Sequence, residues 1–198
     1  MKEGIFMDNV ICGWNIANSF LKKSFEERIS ITITKLNCLV YLLYSDYLYL
    51  FNCKLCNETF IKTDNGPVLP TIYAKFSSFG ESIINRFACD STGRIFMIKN
   101  TTDFENRLGY IWDWYKNISD VEMLDFVNQL IGEKANGQHL YDIDILEAEI
   151  NRREEILKRQ RERLEAAKNN LVQLKQLSGL QQSDVTFNEV ITKKYRLN

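Results

Sequence analysis

The residues able to do chemistry are few, and they are scattered along the chain. Cys53-Lys54-Leu55-Cys56 has the spacing of half a zinc site or of a redox pair. A second such pair is missing, and the single histidine, His139, lies far away in the chain. No serine, cysteine or carboxylate stands in a fixed catalytic spacing to that histidine. Two thiols in an apolar turn and an exposed histidine account for these residues. Asp142 and Asp144 are a carboxylate pair at i, i+2, which do not share a helix face. They read as solvated acids at a helix start, where negative charge suits the dipole. The nine glycines are dispersed and form no phosphate-cradling pattern. No metal site, cofactor site or catalytic constellation emerges, so the chain reads as a binding protein and not an enzyme.

Charge narrows the partners. The chain carries 25 basic and 26 acidic residues, a formal net charge of -1, which gives no global pull toward nucleic acid or membrane. One local basic run exists: Arg152, Arg153, Lys158, Arg159, Arg161, Arg163 and Lys168. Glutamates interleave it and it lacks aromatics for base stacking, so it reads as a solvated helix flank. Contact with phosphates is the lesser reading. Five cysteines, an odd number without framework spacing, read as reduced thiols of a cytoplasmic protein. The N-terminal residues show no apolar signal core. The apolar run at 36–51 is shorter than the roughly 18 residues that mark a membrane span, and it contains Asn37, Ser45 and Asp46. It reads as a buried helix.

The elements that would position these residues are mostly helices. Only Pro67 and Pro70 interrupt the chain, as suits a helical protein. Val10, Trp14, Ala17 and Leu21 share one face of a first helix, capped by Asp8 or Asn9 and running to about Ser24. Ile29 to Thr34 is β-branched and reads as extended, with Ser30, Thr32 or Thr34 capping the second helix. Residues 58–63 read as a strand. Ile72, Tyr73, Phe76 and Phe79 give a third helix its apolar face, and Gly80 its stop. Residues 83–89 and 94–99 read as a hairpin around Asp90-Ser91-Thr92-Gly93 that joins 58–63 in a three-stranded sheet. Thr102 or Asp103 caps a fourth helix, and Ser119-Asp120-Val121-Glu122 is a capping box for a fifth. The expected fold is mainly α with a small antiparallel β element (α+β).

A polar linker at 134–139 separates the domain at 1–133 from a long helix at 140–178 and a polar tail at 179–198. The helix would be roughly 58 Å long, too long to pack wholly on such a domain. Ile143, Ile150, Leu157, Leu164 and Leu171 recur every seven residues. Their companions include Arg153 and Gln160, so the pattern is half of a coiled-coil seam. It predicts a homodimer or a helix that grips a partner. The tail ends in a basic cluster, Lys193-Lys194-Tyr195-Arg196.

A family pattern runs through the first of these regions. Ala17-Asn18-Ser19-Phe20-Leu21 is followed by Thr32-Ile33-Thr34-Lys35-Leu36 and Leu39-Val40-Tyr41. Leu55, the strand at 58–63 and Asn65-Gly66-Pro67-Val68 come next, with Pro70, Tyr73 and Phe76 after them. Over about residues 9–132 this resembles the Panacea antitoxin domain family, also described as SocA-like or phage-associated GepA-like proteins. The resemblance implies a mostly helical domain with a small β element that binds and neutralises small toxins. It points to Asn65, Gly66, Pro67, Val68 and Tyr73 as the partner-binding surface. A phage-encoded inhibitor of a host defence system is the second expectation, and a nucleic-acid-binding regulator the third.

Overall fold

Thr32 starts the central helix. It is extended, at φ -92° and ψ 171°, and its hydroxyl accepts a hydrogen bond from the Lys35 N–H at 3.3 Å. From it runs α2 (Ile33–Phe51), ended by Asn52 in the left-handed conformation. A computed structural model describes residues 12–98 and 101–177. Every side chain from Lys35 to Asp46 is buried, so α2 is the axis of the core, as an all-round apolar helix must be. α1 (Gly13–Glu27), the short α3 (Pro70–Phe76), α4 (Thr102–Tyr115) and α5 (Asp120–Ile131) all pack on it. The fold is mainly α with a small antiparallel sheet, as the sequence leads one to expect. None of the described helices is long and apolar enough to cross a membrane.

Polar groups lock these helices at their ends. Thr32 Oγ1 also donates to Asp120, tying the start of α2 to the start of α5. Lys35 is buried, and its ammonium donates to the carbonyls of Lys116 and Ile118 at 2.8 and 2.5 Å. Those carbonyls close the end of α4, where a cation offsets the dipole. Ser119 and Glu122 form the expected capping box. Glu58 serves two helices at once. Its carboxylate accepts from the Gly13 N–H at 2.5 Å, and from the Thr71 N–H and hydroxyl at 3.1 and 2.7 Å. Charge-assisted bonds to exposed helix donors are among the stronger ones, so Glu58→Ala should cost about 2 kcal/mol of stability. A urea titration reads that loss, and a change under about 0.5 kcal/mol would assign the capping to solvent instead.

The sheet is smaller than expected and differently composed. β1 (Phe60–Thr63) pairs antiparallel with β2 (Gly66–Val68) and, on its other side, with β3 (His139–Leu140). The segment at 134–139 is therefore not a free linker. The Gly137 N–H donates to the Lys62 carbonyl at 2.8 Å, and the Lys62 N–H to the Gln138 carbonyl at 2.9 Å. The chain divides into two compact units later, between Arg152 and Arg153.

The expected hairpin at 83–99 does not form a ladder among its described residues. Its turn is made: the Asp90 N–H donates to the Arg94 carbonyl at 2.9 Å, and the Asp90 carboxylate accepts from Thr92 and Arg94. The arms bond elsewhere. Asn18, wholly buried on α1, accepts from the Ala88 N–H and donates to the carbonyls of Ala88 and Phe96, each at 2.9 Å. One side-chain amide thus takes the backbone groups that a ladder would have used.

Other boundaries move by a few residues. Cys12 is extended and caps α1, so that helix starts at Gly13 and runs on to Glu27. Asp8 and Asn9 lie outside the described residues. Thr101, one residue earlier than expected, caps α4 through its hydroxyl. α3 buries Ile72 and Phe76 and continues as a single 3-10 turn at Ser77–Phe79, which Gly80 ends. Tyr73 is not on that buried face, being 58 % exposed.

α6 (Asp142–Leu177) is the long helix. In its first turns Ile145 and Glu149 are buried and Arg152 half-buried, at spacings of four and three. Arg152 grips the Glu149 carboxylate through two bonds, at 2.8 and 2.5 Å. Beyond Arg153, every side chain from Glu154 to Gln176 except Lys168 is exposed. The polar tail at 179–198, with Lys193, Lys194 and Arg196, lies outside the described residues.

Candidate functional site

A pocket of about 520 Å³ opens between the first turns of α2, the β1–β2 hairpin and α3. Its volume is in the range of small-ligand and side-chain pockets. Ile33, Thr34 and Asn37 come from α2, Ile61 and Thr63 from β1, and Asp64 and Asn65 from the turn. Val68, Pro70 and Tyr73 close it on the other side. The walls are chiefly aliphatic and aromatic.

Local sequence explains this shape. Between β1 and β2 the chain reverses in two residues, Asp64 and Asn65. The Thr63 hydroxyl closes the turn, donating to the Gly66 carbonyl at 2.8 Å while accepting from the Asn65 N–H at 3.2 Å. Gly66 has φ +90°, a backbone region that L-residues avoid. A β-carbon there would also stand 2.9 Å from the Leu124 side chain of α5. Pro67 follows on a strand and Pro70 is the first residue of α3, where its missing N–H is no loss.

Of the surface expected at 65–73, the structure brings Asn65, Val68 and Tyr73 to the pocket. Gly66 and Pro67 are buried in β2 and serve to shape the turn. The sequence reading missed Ile33, Thr34, Asn37 and Ile61. They lie on the central helix and the neighbouring strand, and nothing in their own spacing marks them as a wall.

Asn37 stands apart within this group. It is 2 % exposed, and its Nδ2 donates to the Ile33 carbonyl at 3.0 Å. Its Oδ1 is buried and has no hydrogen-bond partner among the described residues. A flipped amide would set that oxygen against the Ile33 carbonyl, so the orientation follows from the one bond it makes. An unmet buried acceptor costs about 1–3 kcal/mol.

The other chemical candidates lie outside this pocket. Cys53 is exposed, whereas Cys56 is buried and its thiol is pushed up to about 12 by burial. Burial of this kind disfavours the thiolate. Among the described residues no three histidine, cysteine or acidic side chains gather as a metal site would require. His139 is exposed on β3, its ring 6.2 Å from that of Tyr141. Asp142 accepts from the Tyr44 hydroxyl at 2.7 Å and pairs with Lys54. Asp144 accepts from the Lys134 ammonium at 2.8 Å and from the Tyr141 N–H at 3.0 Å, and the lysine's bond holds its carboxyl below the usual range. Both aspartates pin the start of α6.

Three of the seven basic residues in the run on α6 pair with neighbouring glutamates. Arg152 pairs with Glu149, Arg159 with Glu155 and Lys168 with Glu165. The last two are pairs of a solvated helix face, each worth a few tenths of a kcal/mol. On the same helix the heptad positions are exposed: Ile143 by 70 %, Ile150 by 39 %, Leu157 by 51 %, Leu164 by 44 % and Leu171 by 37 %. Ile143 and Ile150 are thus not on the face that carries Ile145 and Glu149.

No family model matches the chain, and no curated protein or solved structure matches it either.

Proposed function

We propose that this chain is a non-enzymatic protein-binding module, antitoxin-like, that neutralises a toxin or other effector by direct binding. The observation that carries the reading is the apolar pocket beside the Asn65–Tyr73 segment, the stretch in which the resemblance to Panacea domains is most specific. Its mouth exposes an aromatic ring, Tyr73, next to aliphatic walls, the composition that protein anchors use. The exposed heptad positions of α6 supply a second contact face, for a second copy or for the same partner. Asp142 and Asp144, by contrast, are each engaged in an ion pair.

The test is co-expression with a toxin encoded beside the gene. The protein should restore growth, and Tyr73→Asp or Asn65→Arg should reduce that rescue at least tenfold in plating without altering expression. Failure of the unmodified protein to bind or silence any neighbouring toxin would sink the antitoxin reading. Protection of phage from a defended host, with no toxin needed, would move the function to defence inhibition.

A further inference from the structure

The charges beside the exposed stripe of α6 say what covers it. We propose that α6 pairs with α6 of a second copy of this chain, running antiparallel, with the two-fold axis at Glu162. The function proposed above allows the stripe either a second copy or another partner, and this commits it to the copy. It does not depend on what the pocket binds.

The stripe fixes which residues face each other. Ile150, Leu157, Leu164 and Leu171 are all exposed and take the first position of successive heptads. The fourth positions are then Arg153, Gln160, Ala167 and Leu174. A parallel pair sets each residue against its own copy, so Arg153 meets Arg153 and Gln160 meets Gln160 inside the seam. An antiparallel pair sets first positions against fourth positions. Centred on Glu162, it brings Ile150 to Leu174 of the other copy and Arg153 to Leu171. Leu157 then meets Ala167, and Gln160 meets Leu164. Each polar seam residue lies against a leucine, and the smallest seam residue against a large one. The aliphatic stem of Arg153 can cover Leu171 while its head reaches water.

The flanking charges select the same direction. Such charges set partner choice and orientation in paired helices. Glu147, Glu154, Lys168 and Lys175 fall on one flank of the seam, acids first and bases later along the helix. Reversed, this flank complements itself. Glu154 faces Lys168 of the other copy and Glu147 faces Lys175, each twice by symmetry. Arg161 and Arg163 meet their own copies once each beside the axis. A parallel pair instead sets Arg163 beside Lys168 twice and brings no opposite charges together across the seam. Lys168 already reaches Glu165 of its own helix at 2.7 Å, and an ammonium has donors enough for both carboxylates.

The full chain tests this. Light scattering at about 100 µM should give twice the monomer mass. A carbodiimide, which joins carboxylate to amine without a spacer, should link Glu154 to Lys168 in peptides recovered from the dimer. Those residues stand roughly 21 Å apart along one helix, so that bond forms only between antiparallel copies. Lys168→Glu should weaken the dimer about tenfold, because Glu154 then faces a carboxylate in both places. In a parallel pair the same substitution would tighten the dimer by giving Arg163 a partner. Glu154→Lys should also weaken it, and an equimolar mixture of the two variants should associate about as tightly as the unmodified protein. A monomer at that concentration, a dimer without the Glu154–Lys168 link, or a tighter Lys168→Glu dimer would overturn the proposal. A stripe shielded only when another protein is added would also overturn it. Toxin rescue by a monomer would end this inference and leave the antitoxin reading standing, and a linked dimer without rescue would do the reverse.

Discussion

Arg107→Leu is expected to remove about 3 kcal/mol of stability, the largest loss from any single substitution outside the apolar core. Asp46 sits on α2 with its side chain wholly buried. Arg107, on α4, holds it with Nε 2.6 Å from Oδ2 and Nη2 2.8 Å from Oδ1. The guanidinium also lies 4.3 Å from the centre of the Tyr110 ring. Leucine in place of Arg107 strips the carboxylate of this two-bond grip inside the core. The energy lost is a large share of the roughly 5–15 kcal/mol that holds a domain folded. The urea midpoint should fall by more than about 1 M. Asp46→Leu made together with Arg107→Leu should recover most of the loss, because a paired apolar replacement leaves no charge behind. A single-variant loss under about 1 kcal/mol would mean that the pair behaves like an exposed one.

The second large effect concerns assembly. Ile150, Leu157 and Leu164 replaced together by aspartate should make the protein monomeric, or abolish partner binding if the partner is another protein. Each residue is 39 to 51 % exposed in the single chain, and they recur at the seven-residue spacing of a seam. Burying one such side chain contributes about 2 kcal/mol. Three lost together, with carboxylates set in the seam, should weaken association more than about a thousandfold. Light scattering of the unmodified and substituted proteins reads the mass directly. The same mass and the same partner binding in both would assign the stripe to solvent and make this part of α6 a spacer. Arg153 and Gln160, at companion positions, predict a seam weaker than a fully apolar one.

Much of the helical frame is legible from short stretches. The Ser119 box, the Thr32 cap and the Gly80 stop each involve residues within a turn of one another. The buried run at 36–46 announces itself by composition. Where reading fails, the deciding group lies far off in the chain. The arms at 83–98 look like strands, but Asn18 takes their backbone groups from a helix 70 residues earlier. Glu58 looks like the start of a strand and instead caps α1 and α3, because both helix starts happen to meet it. β3 is two residues long and too short to carry a period of its own.

The candidate site divides in the same way. The turn that shapes it follows from local chemistry: a glycine at positive φ, a proline on a strand, and a second proline opening a helix. The resemblance in the sequence points to Asn65, Gly66, Pro67, Val68 and Tyr73. That Asn65, Val68 and Tyr73 line a pocket while Gly66 and Pro67 are buried depends on α2 lying against the hairpin. The sequence by itself determined most of the helices, the caps at Thr32 and Ser119 and the sharp turn, since each rests on neighbours a few bonds away. Only the tertiary structure decided which polar groups are paired, which apolar ones are left uncovered and where a cavity remains. Those outcomes depend on which distant surfaces meet, and a buried polar atom is satisfied or orphaned only once they do.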